Sequence, residues 1–182
     1  IPILKSLNKV NTIIDIGANK GQFSLAARHV YSDAAIISFE PLSGPAEIFN
    51  KLFKSDKKIT LFQSAIGQKE ENVVMHVSNR DDSSSLLNIG KNQTTIFPGT
   101  EEKHKEEIKV ASLNHYLSKE DLVQPVFVKI DVQGFELEVL KGSVDLLEYF
   151  DYIYVECSFI ELYEKQALAD EVITFLNNYS FK

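Results

Sequence analysis

Asp15-Ile16-Gly17-Ala18-Asn19-Lys20-Gly21 follows the apolar run NTII (residues 11–14) and opens the segment KGQFSLAARHV (residues 20–30). In that segment Phe23, Ala26, Ala27 and Val30 recur at helical spacing. A strand-to-helix turn needs only one glycine. Two glycines and an Asn behind an aspartate imply that something lies close to the backbone, where a Cβ would be in the way. The helix that follows offers unpaired N–H groups to a polar or anionic ligand.

Outward from this turn, short β-rich runs alternate with helical patterns. AAIISFE (34–40) reads as a second strand, SGPAEIFNKLFKS (43–55) as a helix with Pro45 in its first turn, and KITLFQS (58–64) as a third strand. This βαβαβ order implies a parallel sheet covered by helices on both faces. NVVMHVS (72–78) and EEIKVAS (106–112) read as an added antiparallel ribbon. The polar stretch between them (79–105) is either a solvated loop or a lid over an acceptor. A short helix capped by Ser112 follows. Then come a strand PVFVKID (125–131), a helix GFELEVLKGSVDLLEY (134–149), a strand DYIYVE (151–156) and a final helix over 160–179.

The expected fold is therefore α/β, a mostly parallel doubly wound sheet with an inserted antiparallel ribbon, in one domain over residues 1–182. A complete doubly wound domain usually adds one or two further strands, so C-terminal strands are expected to be lacking. The 182 residues, 44% hydrophobic and 25% charged, suit a globular protein, and the net charge of −7 argues against a bulk nucleic-acid binder. The lone Cys157 excludes an internal disulfide and fits a cytoplasmic setting. No uninterrupted apolar run approaches the length of a membrane span.

Parallel α/β sheets bind ligands beyond the carboxyl ends of their strands. A dinucleotide fingerprint G-x-G-x-x-G would want glycines at 17, 19 and 22, but Asn19 and Gln22 break it. The turn instead reads acidic-x-G-x-x-x-G, in which the Asp15 carboxylate faces a cationic ligand. That suits S-adenosylmethionine. Glu40, ending the second strand, is placed to take a ribose hydroxyl pair.

The sequence resembles the FkbM-type methyltransferases in IIDIGANKGQF, ISFEP, SAIG, VKIDVQGFELEVLKG and the YVE that follows. The likeness runs from about Thr12 to Glu156. It implies a Rossmann-like class I methyltransferase that uses S-adenosylmethionine, mostly for O-methylation, with sugar and natural-product hydroxyls as acceptors. By position it implies that Gly17, Asn19, Gly21 and Phe23 line the cofactor, Glu40 holds its ribose, Ser64 and Ala65 border the adenine, and Asp131 lies near the methyl. Asn114 departs from the family's usual aspartate.

In PVFVKID, alternation puts Lys129 and Asp131 on one side of a buried strand, either as a structural ion pair or at an acceptor hydroxyl. Glu156 ends the neighbouring strand, and Glu136 opens a helix, where capping is the ordinary role. Asp131 is the first choice of base, Glu156 the second, with Lys129 beside them. No metal is invoked. The reading is an S-adenosylmethionine-dependent O-methyltransferase acting on a small-molecule or carbohydrate hydroxyl. The alternatives are a non-catalytic nucleoside-binding scaffold of the same fold and, less favoured by the glycine pattern, a nicotinamide-dependent oxidoreductase.

Overall fold

The computed structural model of the chain describes residues 2–182. Its strands in chain order are β1 (Thr12–Ile16), β2 (Ala35–Phe39), β3 (Ile59–Phe62), β4 (Ala65–Ile66), β5 (Glu71–Ser78), β6 (Glu102–Ala111), β7 (Val126–Ile130) and β8 (Tyr152–Val155). Its α-helices are α1 (Pro2–Ser6), α2 (Gln22–Val30), α3 (Ser43–Phe53), α4 (Lys91–Ile96), α5 (Leu113–Tyr116), α6 (Glu136–Lys141) and α7 (Ala169–Asn178).

Five strands form one parallel sheet in the order β3-β2-β1-β7-β8. The expected α/β fold is thus the observed one. Every residue of β1 and β7 is buried, because parallel strands at a sheet centre are covered on both faces. Ile13 and Phe127 face a core with Leu4, Phe23, Ala27 and Ile36. Ile14, Ile16, Val126, Val128 and Ile130 face the opposite core with Val139, Leu140 and Val172. Strand order reverses between β1 and β7, which opens a crevice at their carboxyl ends.

The ribbon is present, β5 against β6 in antiparallel register. It belongs to a second sheet of three strands, in which the short β4 runs parallel to β6. Two expected helices are shorter than their patterns. The one over 134–149 ends at Lys141 and continues as a 3₁₀ turn over Val144–Tyr149. At the break, a Cβ on Gly142 would stand 2.1 Å from the Gly67 carbonyl, and Ser143 Oγ donates back to Val139 O at 2.8 Å.

The final helix begins at Ala169 rather than Ile160. Residues 160–168 are irregular because tertiary contacts override their helical propensity. The Gln166 side-chain carbonyl accepts the N–H groups of Leu162 and Tyr163 at 2.7 and 2.6 Å, and Tyr163 packs on Gly134. The polar middle segment is also more ordered than a loop. It holds a 3₁₀ turn (Asp81–Ser83) and α4, and gives its last residues to β6. Ser112 does occupy the cap position of α5, without a side-chain cap bond.

Candidate active site

The crevice at the β1/β7 reversal holds a cavity of about 470 Å³. Its walls come from the β1–α2 turn, the end of β2, the start of β4, the ends of β7 and β8, and the segment 81–86.

The β1–α2 turn is held by backbone geometry. Gly17 and Gly21 adopt positive φ (78° and 92°), as does Asn19 (47°). Gly17 lines the cavity, but what demands a glycine there is the sheet itself. A Cβ would lie 1.8 Å from the Asp131 carbonyl. Gly21 does not line the cavity. A Cβ on it would meet Phe53 and Phe49 at 2.6 and 2.9 Å, so its role is to seat α2 against α3.

Asp15 differs more from expectation, since it lies beneath the cavity wall rather than in it. It is fully buried in β1, in register with Ser38 and Lys129. Ser24 Oγ donates to its Oδ2 at 2.6 Å, and Lys129 Nζ stands 3.3 Å from its Oδ1. The carboxylate therefore faces the sheet's own cation, not a ligand.

Glu40 is 5% exposed and lines the cavity. Its Oε2 accepts the Asn19 N–H and its Oε1 the Leu42 N–H, both at 2.9 Å. Burial pushes its carboxyl up to about 7, against the opposing pull of those two N–H groups. Ser64 and Ala65 also line the cavity, Ser64 Oγ being spent on the Ala65 and Lys109 carbonyls at 3.0 and 3.1 Å. Phe23, Phe39, Leu42, Ile66 and Met75 supply apolar wall.

Lys129 Nζ donates to Gly17 O at 2.7 Å and to Ile16 O at 3.4 Å. It lies 3.3 Å from Asp15 and 3.8 Å from Asp131. The expected Lys129–Asp131 pair is thus the looser of its two carboxylate contacts. Asp131 and Glu156 both reach the cavity. The Asp131 charge first, then burial, pushes the Glu156 carboxyl up. Glu136 does not join them. Its Oε1 accepts the N–H groups of Val132 and Gly134 at 3.3 and 3.0 Å, so instead of capping α6, which has no side-chain cap bond, it braces the turn that leads into it. Asn114 is also remote, donating to Asp145 at 2.6 Å.

Other cavity residues carry little sequence signal. Asp81 and Asp82 enter from the polar middle segment, and Lys20 clamps Asp81 at 2.7 Å. Tyr154 comes from β8, in register with Lys129. Gln133, inside the VKIDVQG motif, donates to Asp131 at 2.7 Å. Only the DD pair at 81–82 and the motif position of Gln133 could have pointed to them.

Glu40, Asp81, Asp82, Asp131 and Glu156 face the cavity; among the described residues Lys129, which carbonyls and carboxylates already occupy, is the one lysine or arginine of its lining, and Lys20 pairs with Asp81 from outside it. Residues 15–182 match the methyltransferase FkbM domain. The chain belongs to this methyltransferase family. It is 25% identical over 173 residues to the 2-O-methyltransferase NoeI of Sinorhizobium fredii (strain NBRC 101917 / NGR234), covering 92% of this chain and 71% of that protein. It is 24% identical over 154 residues to Methyltransferase 1 of Beauveria bassiana (strain ARSEF 2860), covering 78% of this chain and 61% of that protein. Among solved structures, a chain of a fibrillarin/Nop5p complex matches at TM-score 0.45 and 15% identity, over 98% of this chain and 66% of that one. Among the described residues, no helix is long and apolar enough to cross a membrane.

Proposed function

We propose that residues 1–182 form one methyltransferase domain that uses S-adenosylmethionine to methylate a hydroxyl of a sugar or small metabolite. One observation carries this reading: the cavity at the strand reversal joins an apolar wall, the buried carboxyl of Glu40 and an excess of acidic side chains. An aromatic base, a ribose and a sulfonium ask for those three things. The excess of carboxylates also disfavours nucleic acid as acceptor.

Glu40 would take the ribose hydroxyls on lone pairs that its two backbone N–H donors leave free. Gly17 and Asn19 would border the methionine portion, and Phe23, Ser64 and Ala65 the adenine. When bound, the cofactor supplies an electrophilic methyl group. Asp131 is the base that accepts the acceptor hydroxyl's proton, with Glu156 as its neighbour and second choice. Lys129 is a positioning residue that ties the ends of β1 and β7 together through Gly17 O and Asp15. The name of the Sinorhizobium relative, a 2-O-methyltransferase, supports oxygen as the methylated atom.

The test is incorporation of labelled methyl from S-adenosylmethionine into a panel of hydroxylated sugars, by the wild type and Asp131→Asn. Transfer by the wild type alone supports the reading. Tight S-adenosylhomocysteine binding with no transfer to any acceptor would favour the non-catalytic nucleoside-binding alternative.

A further inference from the structure

Tyr163 is among the largest fully buried side chains, at 2% exposure, yet it carries a hydroxyl. It sits in the irregular 160–168 segment, where the Gln166 side chain pins its N–H. Its hydroxyl lies 2.8 Å from Gln133 Oε1 and 3.1 Å from Ser83 O, two acceptors that share its one proton, with Gln133 the nearer. The other end of the Gln133 amide donates from Nε2 to Asp131 Oδ1 at 2.7 Å. Gln133 is itself held in the left-handed region (φ 55°), and its carbonyl accepts Ser85 Oγ at 2.6 Å. Asp131 Oδ2 accepts no hydrogen bond among the described residues and lies 3.8 Å from Lys129 Nζ.

We infer that Tyr163 is a positioning residue for Asp131, acting through the Gln133 amide; the inference rests on Asp131 being the base of the proposed methyl transfer. An amide has one accepting end and one donating end. A proton from the phenol on Oε1 selects the orientation that turns Nε2 to the carboxylate. The reversed amide would set its oxygen against an ionised carboxylate and lose that bond, and it would leave the phenol proton to Ser83 O alone. The Tyr163–Gln133–Asp131 chain therefore holds Oδ1 and leaves Oδ2 for the acceptor's proton. Burial of the phenol, together with the charges of Asp131 and Glu136, pushes its own ionisation up, so it keeps the proton it donates. The chain also ties the base to the 79–101 segment through Ser83 and Ser85, which makes the segment's docking a condition of an aligned base.

Tyr163→Phe removes one oxygen and keeps the ring. With an acceptor from the labelled-methyl panel, kcat should fall about tenfold while KM for cofactor and acceptor stays within about twofold. Gln133→Leu should match it, and the double variant should fall no further, because both act through one chain. Unchanged kcat in folded Tyr163→Phe, or losses that add, would overturn the inference. A second readout needs no turnover. Hydrogen exchange of the Gln133 side-chain amide, followed by NMR, should be slow in the wild type and fast in Tyr163→Phe with the backbone spectrum retained. Equal protection in the two proteins would overturn the inference even if no acceptor is ever methylated. Loss of protection without any methyl transfer would leave the hydrogen-bond chain standing and count against the methyltransferase reading instead.

Discussion

Where β1 and β2 end at the cavity, the polar groups are held by backbone. Asn19 and Leu42 offer their N–H groups to Glu40, and the Gly17 and Ala18 N–H groups bind Phe39 O at 3.0 and 2.9 Å. Where β7 and β8 end, the groups are held by side chains, one from the adjoining turn and the others from far along the sequence. Gln133 donates to Asp131, Tyr163 donates toward Gln133, and Asp81 and Asp82 come from the segment before β6. The first arrangement is rigid because it is part of the sheet. The second depends on the docking of two irregular segments.

The sharpest break of this comparison is Gly17→Val. Its side chain would begin 1.8 Å from the Asp131 carbonyl, with φ at 78°. The β1–β7 seam has no room to give, so no folded protein is expected in circular dichroism or thermal melts. Retention of the fold would show that the turn is softer than its geometry.

Lys129→Met comes next. It strips the fully buried Asp15 of its cation, and breaking such a pair costs about 3–5 kcal/mol. Chemical denaturation of the variant should show that loss. Asp131→Asn, by contrast, leaves Lys129 on Asp15 and Gly17 O, so its melting point should stay close to that of the wild type. A large destabilisation in Asp131→Asn would place the essential pair on the wrong side of the lysine.

The effect of Glu40 on pH dependence is somewhat smaller. Its folded value of about 7 lies above the ordinary 4.5. Between those limits the native state binds more protons than the unfolded one. This contribution therefore falls as pH rises through that window and is constant above it. At 1.36 kcal/mol per unit the limit is on the order of 3 kcal/mol. Glu136, raised by burial, acts in the same direction, so the comparison must be with Glu40→Gln. Melts from pH 4.5 to 8 should show the wild type losing stability relative to that variant. A constant gap would mean that Glu40 is ionised throughout.

Asp131→Asn should also lower kcat for methyl transfer by about 10²-fold or more at saturating cofactor. Addition of Lys129→Met should not restore the rate. Recovery in the double variant would move the base to Glu156.

How far the sequence was legible follows the same division. DIGANKG, ISFE and VKID are contiguous, so their positions at strand ends could be read from period and turn chemistry alone. In the sequence Asp15 and Gly21 look ligand-facing, because acidic and glycine residues in a turn look alike whether they meet a ligand or the protein. Only the register with Lys129 and the rings of Phe49 and Phe53 separate the two cases. Tyr163 lies in a stretch with good helical propensity, and nothing local shows that it will leave the helix to reach Gln133. Asp81 and Asp82 look like any polar loop until β5 and β6 bring them over the crevice.

If this cavity holds S-adenosylmethionine with Glu40 on the ribose, titration calorimetry of S-adenosylhomocysteine, beside NAD, is the most direct test. The wild type should bind S-adenosylhomocysteine one-to-one and give no heat with NAD. Glu40→Ala should weaken binding roughly tenfold or more, from lost charged hydrogen bonds of about 1.5–3 kcal/mol. Absence of S-adenosylhomocysteine binding, or equal affinity in a folded Glu40→Ala variant, would contradict that placement.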